Sequence, residues 1–562
     1  MRSLREPEPI ALDTNARSVH VAPSILRSLD WRFLLPSPPS GTYDHLLLLG
    51  GSPGLADAAR AAPIADRVSV RLGDGLAFDA VAVLAGARVR LGDLRRHLRP
   101  GAAVYLEIDR RRRPWRGVLP PTLRRRVASA GLRPLGVYWA KPGFHRCQMY
   151  LPLECPAALN WYVAGQLSAQ SAKRHLLRVG LAALARRGSW TMGWVAPTLA
   201  VTAIVEGSGT PPISVFGLSD LPVPLRGRQL WAVLLTGGEG SWSRLSFVVF
   251  SAGGRVPLAV VKVLRLEALR PWAEREQKVL GQLRDRLDPQ LARSLPAPLA
   301  CRSWGGLTVT VEGYARGRML AGTIGAWGRS PAEDEATLRH AVGWLARFDL
   351  ATAQKPLAWD ANRAAEFGRL LDRYAATLGP MPAESRLLAT ARDQAQSVLG
   401  LRLPTAWQHA DFGPWNVLQD GSDLAVVDWE SARLGPVGID LFYFVTHWLH
   451  AARRSRRDSA TELADVLELL VKPKGSDRRI TAARDAVQWF FAELGIDRRL
   501  AGLLILWAFT EQALDRVERL RAVGDPSPES RLGNRYARYV TALAGEPARL
   551  FAFGEARWPW SN

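Results

Sequence analysis

One histidine, four aspartates, one asparagine and one glutamate crowd into "HADFGPWNVLQDGSDLAVVDWE", residues 409–430. Gly413 and Pro414 mark the stretch after Asp411 as a loop, whereas the apolar "LAVV" reads as a buried strand that ends on Asp428. Asp411, Asn416 and Asp428 can then converge on one cavity. An aspartate beside a substrate hydroxyl can accept its proton, and an amide oxygen with a second carboxylate supplies the hard oxygen ligands that Mg²⁺ prefers when it also holds phosphates. The chemistry that suits this set is phosphoryl transfer.

Such a site needs upstream elements to hold a nucleotide: a glycine-rich hairpin, a lysine on the following strand and a glutamate on the next helix. All three occur in that order. "TGGEGSWSR" (236–244) offers Gly237, Gly238 and Gly240, where the backbone can approach phosphate closely. Lys262 lies in the strand-like "AVVKVLR", and Glu276 lies in the helix-like "REQKVLGQL" with Val279, Leu280 and Leu283 around it. Glu274 competes with Glu276 for the lysine. "LTVTVEGYARGRML" (307–320) reads as a strand and hinge whose backbone near Glu312 and Tyr314 would meet the purine.

"HADFGPWNVL" with "VVDWE" resembles the catalytic segment of the aminoglycoside phosphotransferase and choline kinase family, His-x-Asp-x-x-x-x-Asn followed by Ile-Asp-Trp/Phe-Glu. The resemblance implies ATP (or GTP) and Mg²⁺ as cofactors and a small-molecule hydroxyl compound as acceptor. It implies Asp411 as catalytic base, Asn416 and Asp428 as metal ligands, and His409 as the catalytic-loop residue that braces the others. Asp440 in "GPVGIDLFYF" matches a structural aspartate, although Gly435-Pro436-Val437 stands where the family has Gly-Asp-Pro.

Between residues 41 and 140 short apolar runs alternate with polar, helix-like stretches, as in a parallel, doubly wound sheet. "APTLAVTAIV" (196–205) could close that sheet, and the Gly, Pro and Ser of 206–224 suggest a linker. The expected architecture is an α/β doubly wound domain over 1–205, the linker, and an α+β bilobal protein-kinase-like domain. Its small lobe would span 225–325 and its helical large lobe 326–562. "LLLLGGSPG" (46–54) with "FDAVAVL" resembles the class I methyltransferases that use S-adenosylmethionine. Leu48 stands at that motif's acidic position and Ser52 at its middle glycine, and the interval from Gly54 to "FDAV" looks too short for the ribose-binding strand. The resemblance therefore implies a degenerate, docking or stabilising module.

Three cysteines among 562 residues are too few for a disulfide framework and fit a reduced, cytoplasmic setting. The N-terminus lacks the apolar core of a secretory signal, and no apolar run is long enough to span a bilayer. The net charge is +22, and residues 1–150 hold 24 Lys+Arg against 12 Asp+Glu. That excess would allow peripheral docking on an anionic membrane, with no specific nucleic acid expected. "LFYFVTHWLHAARRSRR" (441–457), with Arg453, Arg454, Arg456 and Arg457 and no carboxylate, suggests a neutral or anionic acceptor such as a sugar or envelope precursor. Two rival functions stay open: a nucleotide-binding scaffold without turnover, and a methyltransferase regulated by a kinase-like domain.

Overall fold

The computed structural model describes residues 23–36, 42–51, 54–62, 64–73, 76–112, 118–167, 171–187, 189–206, 230–237, 244–251, 253–304, 306–355, 358–454, 459–471, 477–523 and 533–554. Nearly all of the expected linker lies outside these residues, as do Ser52, Gly238, Gly240, Arg456 and Arg457.

The N-terminal part contributes β1 (Tyr43–Leu49), β2 (Ala65–Ser69), β3 (Phe78–Val83), β4 (Leu98–Asp109), β5 (Leu132–Lys141), β6 (Met149–Pro152) and β7 (Thr198–Val205). The order β2-β1-β3-β4 is parallel throughout, and the central β1 and β3 read as near-continuous apolar runs because both of their faces are covered. β7 does not close the sheet at an edge. It inserts antiparallel between β4 and β5, which buries every one of its eight residues. A strand also fits in the short interval after Gly54, because the seven-residue helix Leu55–Ala61 is enough to return the chain to β2. That strand ends on Ser69, not on a carboxylate.

Downstream, β8 (Leu230–Leu235), β9 (Leu245–Ser251), β10 (Ala259–Val263), β11 (Pro298–Trp304) and β12 (Leu307–Gly313) form an antiparallel set in the order β11-β12-β10-β9-β8. The helix Arg270–Arg286 sits between β10 and β11, burying Ala273, Glu276, Val279, Leu280 and Leu283 on one face. The sheet does not stop at the composition break. β6 pairs with β8 through Met149 opposite Leu235 and Tyr150 opposite Leu234, so twelve strands form one mixed sheet.

Its core follows suit, since a single buried cluster on one face runs from Leu46 and Tyr105 through Ala232 and Phe247 to Val261 and Val311. Arg265, just after β10, reaches back to Asp30 at 3.0 and 2.5 Å, and both side chains are buried. Trp31 beside it stacks on Tyr105 at 5.0 Å.

The remaining lobe is helical around a large apolar core. Its first long helix, Pro331–Thr352, starts with a Ser330/Glu333 capping box. Two small sheets lie against these helices. One contains β13 (Arg318–Met319), β15 (Val417–Asp420) and β16 (Asp423–Val426); the other pairs β14 (Thr405–Gln408) with β17 (Arg433–Pro436).

Removing one partner of a buried ion pair leaves an uncompensated charge and costs about 3–5 kcal/mol. Asp30→Ala should therefore lower the unfolding free energy of the full chain by roughly that amount in a denaturant titration. A loss below about 1 kcal/mol, the range of an exposed pair, would show that the pair does not join the two parts.

Candidate active site

Lys262 and Glu276 meet as their order in the chain predicts, Nζ to Oε1 at 2.7 Å. Glu274 pairs instead with Arg270 on the helix surface. Glu276 is wholly buried and holds three donors: Lys262, Arg244 at 2.5 Å, and the backbone N–H of Trp429 at 2.9 Å. Lys262 also approaches Glu312 at 3.1 Å and Asp428 at 3.5 Å. Burial works against its charge, but the three carboxylates outweigh that and raise its pKa.

Burial and repulsion from Glu276 push the Glu312 carboxyl up to about 7. The Glu312 side chain thus faces the lysine rather than serving only through its backbone. Glu312, Gly313 and Tyr314 do line the cavity, and Gly237, with φ +70°, lines its roof.

The opening stretch folds as its spacing suggests. β14 leads into His409, the loop runs over 410–416, and β15 and β16 form the hairpin that delivers Asp428. A Cβ on Gly413 would overlap the Trp415 indole, so that turn requires glycine. His409 is buried and does not reach the cavity. Its Nε2 contacts the Val427 carbonyl at 2.9 Å and its Nδ1 accepts the Asp411 N–H at 3.2 Å, which ties the loop to the Asp428 strand. Burial lowers its pKa to about 4, so it braces as a neutral ring. Asp440 accepts the backbone N–H groups of His409 (2.6 Å) and Ala410 (2.9 Å). That holds Ala410 in the left-handed region at φ +62°.

The Asp411 carboxylate is oriented from two sides, by Tyr443 Oη at 2.7 Å and Asn416 Nδ2 at 2.8 Å. Burial raises its pKa to about 6 against the pull of the Tyr443 hydrogen bond. Asn416 donates to the Asp411 carbonyl as well, at 2.9 Å, so its Oδ1 is the atom left for a cation. Asp428 sits at φ +71° with its side chain 41% exposed. Burial opposes its charge, yet Lys262 and Arg244 hold its carboxyl down to about 2. One amide oxygen and one ionised carboxylate, with space for phosphate oxygens, fit Mg²⁺.

Asp411, Asn416, Asp428, Lys262 and Glu312 all line one cavity of about 570 Å³ between the lobes. Its apolar half includes Val248 and Val260 on the sheet side and Leu418 on β15. A smaller pocket of about 130 Å³ opens beside Asp411 against Tyr443, Asp515, Arg516, Arg519 and Tyr536. Sequence reasoning missed Arg244, which pairs with Glu276 and Glu430, and Arg519, which pairs with Glu430. It quoted Tyr443 without assigning it a role. Of the arginines expected to shape the acceptor side, the two described are engaged elsewhere. Arg453 is held by Asp465, Glu468 and Asp477, and Arg454 donates to the Gly325 carbonyl.

Residues 239–468 match the model of the phosphotransferase enzyme family. That segment carries the lysine, the glutamate and the Asp411, Asn416 and Asp428 set, and the two-lobed region has a kinase-like phosphotransferase fold. Solved structures similar to the chain include a choline/ethanolamine kinase family protein from Mesorhizobium loti, at 17% identity and TM-score 0.31, covering 61% of this chain and 98% of that one. They also include macrolide 2'-phosphotransferase MphH from Brachybacterium faecium, at 14% identity and TM-score 0.30, covering 51% and 89%. A third is the aminoglycoside phosphotransferase APH(3'')-Id from Streptomyces rimosus in complex with ADP and streptomycin, at 17% identity and TM-score 0.27, covering 52% and 94%. No curated protein matches the chain. No helix among the described residues is long and apolar enough to cross a membrane.

If Asp411 is the general base, as the sequence resemblance implies, it must be deprotonated to act, and phosphoryl transfer should rise with pH through about 6. Tyr443→Phe removes a hydrogen bond that favours the carboxylate and should move that midpoint to higher pH. A kcat/KM profile whose midpoint is unmoved or lower in the variant would show that Tyr443 does not tune the base.

Proposed function

We propose that the chain is a small-molecule kinase that transfers the γ-phosphoryl group of ATP to a hydroxyl of a neutral or anionic acceptor. One observation carries this reading: Asp411, Asn416 and Asp428 line the same interlobe cavity as the Lys262–Glu276 pair. In this arrangement Lys262, fixed by Glu276, holds the α/β-phosphates. Asn416 Oδ1 and the Asp428 carboxylate would hold Mg²⁺, which when bound neutralises charge on the phosphates. Asp411 takes the proton of the acceptor hydroxyl as its oxygen forms the new bond to phosphorus and the bond to the β-phosphate oxygen breaks. Tyr443 and Asn416 keep the carboxylate pointed at that hydroxyl, which is the positioning on which phosphoryl transfer depends.

The pocket beside Asp411 supports this acceptor class. Arg516 and Arg519 face it, Asp515 is the only carboxylate besides Asp411 among its described lining residues, and two tyrosines supply hydroxyl groups. A polycationic acceptor would need a counter-charge for each ammonium group that leaves water. A sugar-like or acidic hydroxyl compound needs none.

Asp411→Asn should reduce transfer by at least about 10²-fold while Mg²⁺–ATP affinity, measured by calorimetry, changes little. Asp428→Asn should instead weaken Mg²⁺–ATP binding. The opposite pattern would reverse the two roles. Kanamycin-like polycations should give no phosphorylation above the rate of ATP hydrolysis, and rapid turnover of them would refute the acceptor class.

A further inference from the structure

One wall of the cavity does not come from the kinase-like lobes. Trp161, the last residue of the helix Pro156–Trp161, and Gln166 both line it, and both belong to the N-terminal part of the chain. Trp161 Nε1 donates to Tyr314 Oη at 2.8 Å across a sequence separation of 153 residues. Its ring lies edge-on to Phe250 of β9 at 6.1 Å. The turn that carries Gln166 to the wall, Tyr162–Gln166, is a π-helix, a rare element that is frequent at functional sites.

The position along the cavity identifies what this wall would meet. Lys262 pairs with Thr310 in the β10/β12 ladder, and Gly313 pairs with Ala259 three residues further on. At about 3.3 Å per residue, Tyr314 lies roughly 13 Å along the strand from the lysine's partner. That separation is comparable with the reach of a nucleotide from its inner phosphates to its base. Val260 pairs with Glu312 on one side and Val248 on the other, and with Leu418 these valines give the cavity an apolar lining suited to a flat heteroaromatic ring. The indole therefore stands where the base would otherwise meet solvent, and the Gln166 amide can both donate to and accept from a polar edge.

We propose that Trp161 and Gln166 contact the nucleobase, so that the base subsite is built jointly by the N-terminal part and the small lobe. This rests on the reading of the cavity as a nucleotide site. The ligand class is a purine nucleoside triphosphate. The β6–β8 pairing and the buried Asp30–Arg265 contact supply the rigidity such a wall needs.

The test is calorimetry on the full chain with Mg²⁺–ATP and, separately, Mg²⁺–tripolyphosphate, which has the phosphates but no base. Trp161→Ala should weaken ATP about tenfold, as expected for a lost base–aromatic contact, and leave tripolyphosphate unchanged. Gln166→Ala, at a partly buried position, should weaken ATP about threefold with the same selectivity. Equal ATP affinity in the wild type and both variants would overturn the proposal and leave the kinase reading intact. Equal weakening of ATP and tripolyphosphate would also overturn it, because the wall would then act only by supporting the lobe. A wild-type chain that binds neither ligand would overturn both readings.

Discussion

Glu276 is the constraint on which the rest depends. A carboxylate with no exposed surface is costly to bury unless its oxygens are fully engaged, and here Lys262, Arg244 and the Trp429 N–H engage them. Those three donors come from β10, from the end of the glycine-bearing turn and from the segment just after Asp428. One side chain on one helix therefore fixes the lysine, the entry to β9 and the segment after Asp428 relative to one another. Arg244 and Arg519 extend the network to Glu430, which ties the small lobe to the helix Ala501–Ala522. Removal of Glu276 would leave Lys262 and Arg244, both largely buried, without the carboxylate they share.

A second constraint is backbone strain beside the chemistry. Ala410 and Asp428 both adopt left-handed conformations that cost a non-glycine residue about 1–2 kcal/mol each. Each is held from outside. Asp440 accepts the consecutive backbone N–H groups of His409 and Ala410, and Gln512 donates to the Ala410 carbonyl. Val427, just before Asp428, donates to the Asn416 carbonyl and receives His409. The strained residues thus turn Asp411 and Asp428 towards the same cavity from two different strands, which relaxed backbones at those positions would not do.

The candidate site was largely legible because its members are close in sequence. Asp411, Asn416 and Asp428 fall within one loop and hairpin, and Lys262 and Glu276 are separated by a single turn and part of a helix, so local pattern alone brings each set together. What was not legible depends on long-range pairing. Arg244, Arg519, Tyr443 and Trp161 act through partners far along the chain, and no local periodicity marks them. The same limit applies to β7, whose apolar run is equally compatible with an edge or a central strand by composition. Its eight buried residues show that it is central. Arg453 illustrates the converse error, a basic residue read as facing a ligand that three carboxylates hold in place.

The composition break near residue 206 marks a change in chain texture but not the end of the sheet. An antiparallel lobe that ended on β8 would expose a row of unpaired backbone groups, the kind of edge that recruits other chains. β6 covers that edge, and the shared apolar face continues beneath it from Tyr105 to Val261. Part of the basic excess of the N-terminal region is used in the same consolidation. Arg110 donates to the carbonyls of Gly193 and Ala196 at 2.6 and 2.7 Å, Arg99 bridges Asp44 and Asp79, and Arg124 pairs with Glu154. The N-terminal part, with Leu48 buried in its hydrophobic core, has a physical role of its own here. It supplies the strand that completes the small lobe and the indole that borders its cavity.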